Sequence, residues 1–424
     1  MSKLLLGCFG DDFTGSSDAA SFIKKAGLNT MLINGVPKGD MIIPEGVEAI
    51  VIALKTRTEE VQYAVSDSIK AYNWLKEKGI EHIYDKYCST FDSTKSGNIG
   101  PVIDSILEKY NLKYTILCPA LPINKRTVKD GIIYVDGIPL AQSHMRNHPL
   151  TPMLESDIEK LMKPQGKYPC FRLDYRMLEL PDKIIMNCIS DFGKNKSHFY
   201  VITDFIEENH AEKIADLFYN LNLLTGGSGL LTELGKHLKT NRADNNDNNV
   251  RSRIPGKGII FAGSCSKATL SQISSFISSG GVSIKMDPQE LLSGDNEIET
   301  IWENILRNNY DELLIYSSEG PNKILENQKI FGKNKVSEKL EQSMAEIAQR
   351  AVNIGYKRII VGGGETSGSI TKKLGFDSYY IGEDIAPGVP IMVPIQDPSI
   401  RLILKSGNFG QDDFFIRALN MTRK

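Results

Sequence analysis

Cysteine is scarce in this sequence: its 424 residues include six, scattered along the chain with no C-x-x-C pair. Neither a zinc site nor a disulfide framework is therefore indicated. Long apolar stretches are also missing, so no membrane-spanning helix is predicted, and the apolar run before Asp11 is too short for a signal peptide. With a formal charge of -2, the chain has no basic excess for binding nucleic acid. These absences predict a cytoplasmic enzyme or binding protein, with neither nucleic acid nor membrane as a partner.

The composition that remains is that of an ordinary globular protein, with 41% hydrophobic and 24% charged residues. A chain of this length predicts about two domains. The asparagine-rich stretch at residues 241–255 predicts a linker, which gives domains at residues 1–240 and 256–424. Strand and helix patterns alternate in both parts, and this alternation predicts an α/β fold. We expect two domains, each with a mostly parallel sheet flanked by helices, and an active-site cleft between them.

A glycine-rich loop near the C-terminus has the composition of an anion site. The apolar strand pattern at residues 358–361 is followed by Gly362, Gly363 and Gly364, and Glu365 then opens a helical pattern. A helix that starts on glycines presents free amides and partial positive charge, and no side chain keeps a phosphate away. The spacing fits neither the dinucleotide-binding fingerprint nor the P-loop. The residues alone support an anion site and a simple tight turn equally.

Two more loops of this half repeat the order of apolar strand and small polar loop before a helix. Ser264 follows the strand pattern at residues 258–262, and Gly407 follows the pattern at residues 401–404. The carboxyl ends of parallel strands meet at one edge of a sheet. We therefore predict that Ser264 and Gly407 lie beside the glycine-rich loop.

Charged side chains also follow apolar strands in the N-terminal half. Asp11 and Asp12 come after the strand pattern at residues 4–9, and Arg57 comes after the pattern at residues 49–54. Neighbouring side chains leave a strand in opposite directions, so one aspartate is expected in a cleft while the other caps the next helix. We assign the cleft to Asp12 and the cap to Asp11. Arg57 would either bind a carboxylate through two hydrogen bonds or form a surface ion pair.

A third polar cluster, at residues 86–98, is rich in hydroxyl groups and contains Ser89, Asp92 and Asn98. Asp92 lies among serines and threonines. It would either bind the hydroxyl groups of a polyol or cap the helix that begins near Pro101. The position of this cluster after a strand predicts that it joins the other two at the same edge of the sheet.

Two local predictions concern the middle of the chain. Residues 132–140 predict a β-hairpin, because two apolar runs flank the pair Asp136-Gly137, a typical turn sequence. The apolar, β-branched run at residues 184–188 predicts a further strand.

Six motifs together resemble the four-carbon acid sugar kinase family, and the resemblance covers nearly the whole chain. They lie at residues 11–15 (Asp-Asp-Phe-Thr-Gly), 89–94 with 97–100, 226–229, 263–266, 362–368 and 405–410. The segment at residues 136–152 is most similar to the 3-oxo-tetronate kinase branch. Lys125 departs from that branch, which more often has glycine there, so the shape of this loop is expected to differ if the position needs a positive φ.

The resemblance implies an ATP-dependent kinase that phosphorylates the terminal hydroxyl of a four-carbon sugar acid, with 3-oxo-tetronate as the first choice. Threonate kinase, erythronate kinase and a non-catalytic sensor of nucleotide or sugar acid stay open as alternatives. The N-terminal domain would hold the sugar acid and the C-terminal domain the ATP, with Mg²⁺ neutralising phosphate charge. The metal ligands are not specified, and a homo-oligomer is left open.

The position of these residues, together with the resemblance, predicts roles for individual residues of this chain. The sequence does not settle which residue accepts the proton; an aspartate is expected, and Asp12 is the first candidate. The sugar acid would contact Asp11, Arg57, Ser89, Asp92 and Asn98. The ATP would contact Ser264, Gly362, Gly363, Gly364, Glu365 and Gly407.

Two other enzyme classes use similar folds. A Rossmann-type oxidoreductase would require G-x-G-x-x-G with an acid about 20 residues further on, and that pattern is absent. A serine hydrolase would use Ser264 or Ser228, but neither lies in the G-x-S-x-G sequence of a nucleophile elbow. The kinase is therefore the favoured interpretation.

Overall fold

The computed structural model describes residues 3–37, 39, 41–148, 151–239, 251–293, 297–319, 330 and 333–424. The chain divides into two compact units, residues 1–248 and residues 249–424. The boundary lies within the predicted linker, most of which falls outside the described residues. Within the described ranges, none of the helices has the length and apolar character needed to cross a bilayer.

The first unit alternates strands and helices. Its strands are β1 Leu6–Gly10, β2 Thr30–Asn34, β3 Ala49–Ala53, β4 His82–Lys86, β5 Tyr114–Leu117, β6 Arg126–Lys129, β7 Ile132–Val135, β8 Ile138–Pro139, β9 Cys170–Leu173, β10 Phe199–Thr203 and β11 Leu223–Gly226. Its helices are α1 Phe13–Lys25, α2 Val61–Glu77, α3 Ile99–Lys109, α4 Ile158–Met162, α5 Tyr175–Leu178, α6 Asp182–Gly193, α7 Glu208–Phe218 and α8 Leu231–Lys239.

The main sheet of the first unit is parallel, with the strand order β11-β4-β1-β3-β2. Every residue of β1 and of β3 is buried, as expected for strands whose sheet is covered on both faces. A smaller parallel sheet has the order β5-β10-β9, and β6, β7 and β8 form an antiparallel sheet. The parallel arrangement brings the loops after β1, β3 and β4 to one edge.

The second unit contains a mostly parallel sheet. Its strands are β12 Lys257–Ala262, β13 Ser283–Lys285, β14 Glu312–Tyr316, β15 Tyr356–Gly362, β16 Ser378–Ala386, β17 Val389–Pro394 and β18 Arg401–Lys405. Its helices are α9 Lys267–Ser278, α10 Pro288–Ser293, α11 Glu297–Asn308, α12 Lys333–Asn353, α13 Gly364–Leu374 and α14 Phe414–Thr422. The strand order is β16-β17-β18-β15-β12-β14-β13, and only the pairs that involve β17 are antiparallel.

The predicted α/β class, with mostly parallel sheets flanked by helices, is confirmed in both units. The predicted hairpin is also confirmed: β7 and β8 pair antiparallel, and Asp136 and Gly137 both have positive φ, at 52° and 78°. The strand predicted at residues 184–188 is wrong, since this segment lies inside helix α6. Ile185 and Ile189 are buried one helical turn apart whereas Ile184 is exposed, so the run supplies one face of a helix.

Candidate functional site

The backbone after β1 ties three loops of the first unit together. The amide of Asp11 donates to the carbonyl of Lys86 at 3.0 Å. The carbonyl of Asp11 accepts from the amides of Thr56 at 2.9 Å and Arg57 at 3.1 Å. Because these bonds extend the parallel ladder beyond the ends of the strands, the polar residues that follow β1, β3 and β4 meet at one place.

Arg57 is the centre of the charges at this edge. Its Nε and Nη2 donate to the two carboxylate oxygens of Asp11, each at 2.8 Å. Its Nη2 also lies 3.0 Å from Asp12 Oδ1, and its Nη1 lies 4.0 Å from Asp92 Oδ2. The two-bond carboxylate partner of Arg57 is thus a residue of this chain. Nη1 makes no hydrogen bond within the described residues. It is therefore the guanidinium nitrogen that remains available to a ligand.

Asp12, not Asp11, caps helix α1. Asp12 Oδ1 accepts from the amide of Gly15 at 2.8 Å, and Oδ2 accepts from the hydroxyl of Thr14 at 3.0 Å. The assignment of the cap to Asp11 is therefore wrong. The reason is local, because the Asp11 backbone continues the ladder and turns its side chain towards Arg57.

The contacts of Asp12 also affect its chemistry. Burial opposes ionisation of its carboxyl group, but the positive charges of Arg57 and Lys86, together with the hydrogen bonds from Thr14 and Gly15, outweigh burial and lower the pKa of Asp12 below its usual value. A carboxylate with a lowered pKa and with both oxygens hydrogen-bonded is a weak proton acceptor. The geometry therefore favours a role for Asp12 in holding Arg57 and the start of α1.

The turn after β4 holds Asp92 in an unusual backbone conformation. Phe91 and Asp92 have φ values of 65° and 44°, in the left-handed region. Such positions cost about 1–3 kcal/mol each and often occur at functional sites. Asp92 is buried, and its Oδ1 accepts from the hydroxyl of Thr90 at 2.7 Å. The predicted alternative, a helix cap, is not observed, because Asn98 occupies the N-cap of α3. Ser89 lies half-buried in the same turn.

Asn98 fastens the loop that carries Arg57. Its Nδ2 donates to the carbonyls of Thr56 at 2.6 Å and Glu59 at 2.9 Å. Its Oδ1 is buried and has no hydrogen-bond partner in the described part of the chain. Buried polar atoms are nearly always hydrogen-bonded, so an orphan acceptor beside a cavity indicates a missing donor, such as a ligand hydroxyl or a water.

These residues line a small cavity of about 20 Å³, which accommodates roughly one water molecule. Its polar lining consists of Asp11, Thr56, Arg57, Ser68, Asp85, Tyr87, Asp92, Ser93 and Asn98. Four of the predicted residues, Asp11, Arg57, Asp92 and Asn98, therefore lie together. Asp12 contacts Arg57 outside the lining, and Ser89 is not part of it.

Asp85 was missed by the sequence reasoning, although it lies in the penultimate position of β4 and lines the cavity. The signal that could have identified it is the charged pair Asp85 and Lys86, which follows the apolar residues Ile83 and Tyr84 at the end of the strand. Burial raises the pKa of Asp85 well above its usual value, and the neighbouring charge of Asp11 raises it further.

The loops after β12, β15 and β18 also converge in the second unit. The amide of Ser264 donates to the carbonyl of Gly362 at 3.2 Å, and the amide of Gly363 donates to the carbonyl of Lys405 at 3.0 Å. Gly407 approaches Ser264 so closely that a Cβ at position 407 would lie 2.3 Å from Ser264 Oγ. The structure thus brings Ser264 and Gly407 together with the glycine-rich loop.

Three donors hold the carbonyl of Gly407 in place. They are the hydroxyls of Ser266 at 2.6 Å and Thr269 at 2.9 Å, and the ammonium group of Lys405 at 3.0 Å. Lys405 ends β18, is fully buried and was not among the predicted site residues. Burial lowers the pKa of Lys405 to about 7. The signal in the sequence that could have identified Lys405 is a lysine directly after the apolar run Leu402–Leu404.

Helix α13 begins in this loop with the features of an anion site. Gly363, its N-cap, has φ 138° and ψ 134° and supplies no side-chain cap. The first amides of an α-helix have no acceptor within the helix, and partial positive charge collects there. A Cβ added at Gly364 would meet no atom within 4 Å. Open space in front of free helical amides fits a phosphate group.

A second cavity, of about 110 Å³, lies beside the start of α13. Its wall includes three apolar side chains of α12, two polar residues of the loop after β14 and one of α13: Val336, Leu340, Met344, Ser317, Glu319 and Thr366. Glu319 is buried there and pairs with Lys285 at 2.8 Å. Among the described residues, no group of three or more His, Cys, Asp or Glu side chains is arranged to hold a metal ion.

Two family models match the two units of the chain. Residues 6–234 match the model described as a sugar-binding N-terminal domain. Residues 259–415 match the model described as a nucleotide-binding C-terminal domain. Together they cover both the cavity around Arg57 and the loop at the start of α13.

Curated relatives and solved structures agree with these matches. A 3-oxo-tetronate kinase of Haemophilus influenzae is 36% identical over 419 residues, covering 98% of this chain and 100% of that protein. A Salmonella typhimurium 3-oxo-tetronate kinase is 36% identical and covers 98% of both chains. A crystal structure of a Salmonella typhimurium protein, 35% identical, superposes with a TM-score of 0.89 over 99% of both chains. A crystal structure of a Haemophilus influenzae protein, also 35% identical, superposes with a TM-score of 0.81 over 98% of this chain and 99% of the other. The chain therefore belongs to the four-carbon acid sugar kinase family and is a phosphotransferase.

Proposed function

We propose that this protein transfers the γ-phosphoryl group of ATP to the terminal C4 hydroxyl of 3-oxo-tetronate. The bond between the γ-phosphorus and its bridging oxygen breaks, a new bond forms to the C4 oxygen, and ADP leaves. The observation that carries the proposal is that each unit has its own candidate site. The sugar-binding unit has a polar cavity lined by acids, and the nucleotide-binding unit has a helix whose first amides are free. The curated relatives that span the full chain are named for this activity.

We propose that the sugar acid binds at the cavity around Arg57. Asp11 already takes two of the guanidinium donors, so the contact from Arg57 to the acid would come from Nη1. Because the cavity has room for about one water, the acid would place a single oxygen inside it and leave the rest of the molecule at its mouth.

The proton of the C4 hydroxyl must be accepted by a nearby base, late in the transfer. Asp12 is the candidate from sequence, but both of its oxygens hold the start of α1. Asp92 offers an Oδ2 that faces Arg57 Nη1, and its strained backbone is of the kind found at active sites. We therefore propose Asp92 as the proton acceptor and Asp12 as a positioning residue for Arg57.

We propose that the phosphates of ATP lie at the start of α13, between Ser264, the segment Gly362–Glu365 and Gly407. The nucleoside would occupy the neighbouring cavity of about 110 Å³. Mg²⁺ would arrive with ATP and neutralise phosphate charge, because this ion commonly keeps several waters and binds through phosphates and one or two carboxylates. Glu365, exposed at the start of α13, is the carboxylate nearest in sequence to the proposed phosphate position. Since the reaction consumes ATP, we propose the cytoplasm as its compartment.

A coupled assay of ADP release over 3-oxo-tetronate, threonate and erythronate tests this function. We expect 3-oxo-tetronate to give the highest kcat/KM. A preference for threonate or erythronate would move the protein to another branch of the family. Binding of Mg-ATP in a thermal-shift assay without ADP release from any of the acids would indicate a sensor and contradict the proposal.

A further inference from the structure

Asp85 is a buried carboxyl group that the proposed mechanism has not used. It is 6% exposed, lies near the carboxyl end of β4 and lines the cavity beside Arg57. Within the described residues its carboxylate has no hydrogen-bond or ion-pair partner. Burial of an ionised carboxylate without partners is very costly, so such a group normally takes up a proton.

The charges around the cavity favour the same conclusion. Asp11, Asp85 and Asp92 line it, and Arg57 is the cation that lines it with them. When several carboxyl groups share a site, at least one tends to stay protonated. Asp11 has two charge-assisted bonds from Arg57 and Asp92 faces Nη1, whereas Asp85 has neither. Asp85 is therefore the acid that keeps its proton.

The groups on each element that packs around Asp85 agree with this assignment. The titratable groups that act on it or line the cavity with it are Cys8 and Asp11 on and after β1, Tyr84, Lys86 and Tyr87 on and after its own strand, and Arg57 and Asp92 in the neighbouring loops. The residues that α2 and α3 contribute to the cavity wall, Ser68, Ile99 and Val102, carry no titratable group. Lys86 opposes protonation of Asp85, but its ammonium group is bonded to the carbonyl of Tyr87 at 3.0 Å.

The proposed substrate carries a C3 ketone, whose oxygen needs a hydrogen-bond donor in the cavity wall. Arg57 Nη1 and the hydroxyls of Thr56 and Ser68 are donors in that wall, and a protonated Asp85 adds a further donor at the end of β4. The hydroxyl groups of a sugar acid donate hydrogen bonds, and the ionised aspartates accept them. A ketone oxygen only accepts, so it needs a donor. A cavity of about 20 Å³ admits a single oxygen atom next to Asp85.

We propose that Asp85 binds the acceptor as a neutral carboxylic acid and donates a hydrogen bond to the C3 ketone oxygen of 3-oxo-tetronate. In the free protein a water molecule would take the place of that oxygen, and the substrate would displace it. Asp85 is then a specificity-determining residue that separates 3-oxo acids from 3-hydroxy acids. This inference rests on the proposed kinase function, and its experiments separate the failure of one from the failure of the other.

The first experiment uses the free protein and compares Asp85→Asn with the wild type by thermal melting. Because burial raises the pKa of Asp85 in the folded chain, the wild type loses stability as pH rises from the unfolded pKa of about 4 towards the raised value. Asp85→Asn lacks this loss. We expect the variant to melt higher than the wild type at about pH 8, and the gap to shrink towards about pH 5. A gap that is absent, or that has the opposite sign, would mean that Asp85 is ionised and overturn the inference.

Asp104→Asn is the matched control. Asp104 is also a buried aspartate of the first unit, but its carboxylate accepts from the amide of Lys167 at 2.9 Å and from the hydroxyl of Tyr200. Burial raises the pKa of Asp104 as well, but its replacement by asparagine removes an acceptor for two bound donors, so we expect this variant to melt lower than the wild type. A rise in melting temperature for both variants would show a general effect of removing buried acids and would overturn the assignment to Asp85.

The second experiment measures kcat/KM for 3-oxo-tetronate and erythronate in Asp85→Asn and Asp85→Ala. Asparagine keeps a donor, so we expect it to retain 3-oxo-tetronate turnover within a few-fold. Alanine should lower it roughly 10- to 100-fold, with a smaller loss for erythronate. Equal losses in the two variants, or equal losses for the two acids, would overturn the inference alone. A wild-type protein that turns over no four-carbon acid would overturn the proposed function, and the inference with it.

Discussion

Replacement of Lys405 by methionine should remove a pH dependence from the stability of the second unit. Lys405 is fully buried, and its ammonium group donates to Thr269 Oγ1 and to the carbonyls of Ser406 and Gly407 at 3.0–3.2 Å. No carboxylate pairs with it within the described residues. Burial lowers the pKa of Lys405 from 10.5 to about 7, so between these values the unfolded chain binds one more proton than the folded chain. The free energy of unfolding therefore rises with pH in this window, by up to about 1.4 kcal/mol per pH unit.

Thermal melting of both proteins at about pH 7.5 and about pH 8.5 measures this effect. For a unit of this size, about 1.4 kcal/mol corresponds to a shift of roughly 3–6 °C. The wild type should gain that much relative to Lys405→Met on the step to higher pH, whereas the exposed Lys373→Met should show no such change. If the gap between wild type and Lys405→Met does not vary with pH, Lys405 is charged when folded and the reasoning is refuted. Saturating Mg-ATP should flatten the slope of the wild type, because phosphate near the ammonium group raises its pKa again.

Three further changes test other parts of the account. Gly364→Ala should raise the KM for ATP, because its methyl group enters the space proposed for phosphate, and it should also raise the melting temperature slightly. The control Lys373→Ala, on the same helix, should leave the KM for ATP unchanged. Asp92→Asn should lower kcat by roughly 10²–10⁴-fold, whereas Asp12→Asn should act mainly on melting temperature and on the KM for the sugar acid; the reverse pattern in steady-state kinetics would restore Asp12 as the base. Lys125→Gly should raise the free energy of unfolding by up to about 1 kcal/mol in urea melts, because Lys125 holds φ 56° at a cost that glycine avoids.

Much of the fold was predictable because it depends on local patterns. Runs such as β3 and residues 359–361 of β15 are apolar on both faces, and that property identifies buried parallel strands without any tertiary information. The polar residues that follow such strands then gather at one edge by topology, which is why Asp11, Arg57 and Asp92 could be grouped from sequence. The positive φ expected at Lys125 could also be inferred from sequence, because glycine adopts this conformation with less strain than lysine does.

The remaining features depend on tertiary burial, which sequence patterns do not contain. The choice between Asp11 and Asp12 as helix cap is decided by how far the ladder continues past β1. The roles of Asp85 and Lys405 depend on the absence of a charged partner around a buried group, and only the folded chain defines which partners are near. The segment Ile184–Cys188 has the residues of a strand, but α6 offers it one buried helical face.

The identity of the product tests the central claim most directly. The protein would be incubated with Mg-ATP and 3-oxo-tetronate, and the products examined by proton-coupled ³¹P NMR. We expect ADP together with a phosphomonoester resonance split by the protons of the C4 methylene group. Formation of ADP with inorganic phosphate alone, or a phosphate ester on any other carbon, would contradict it.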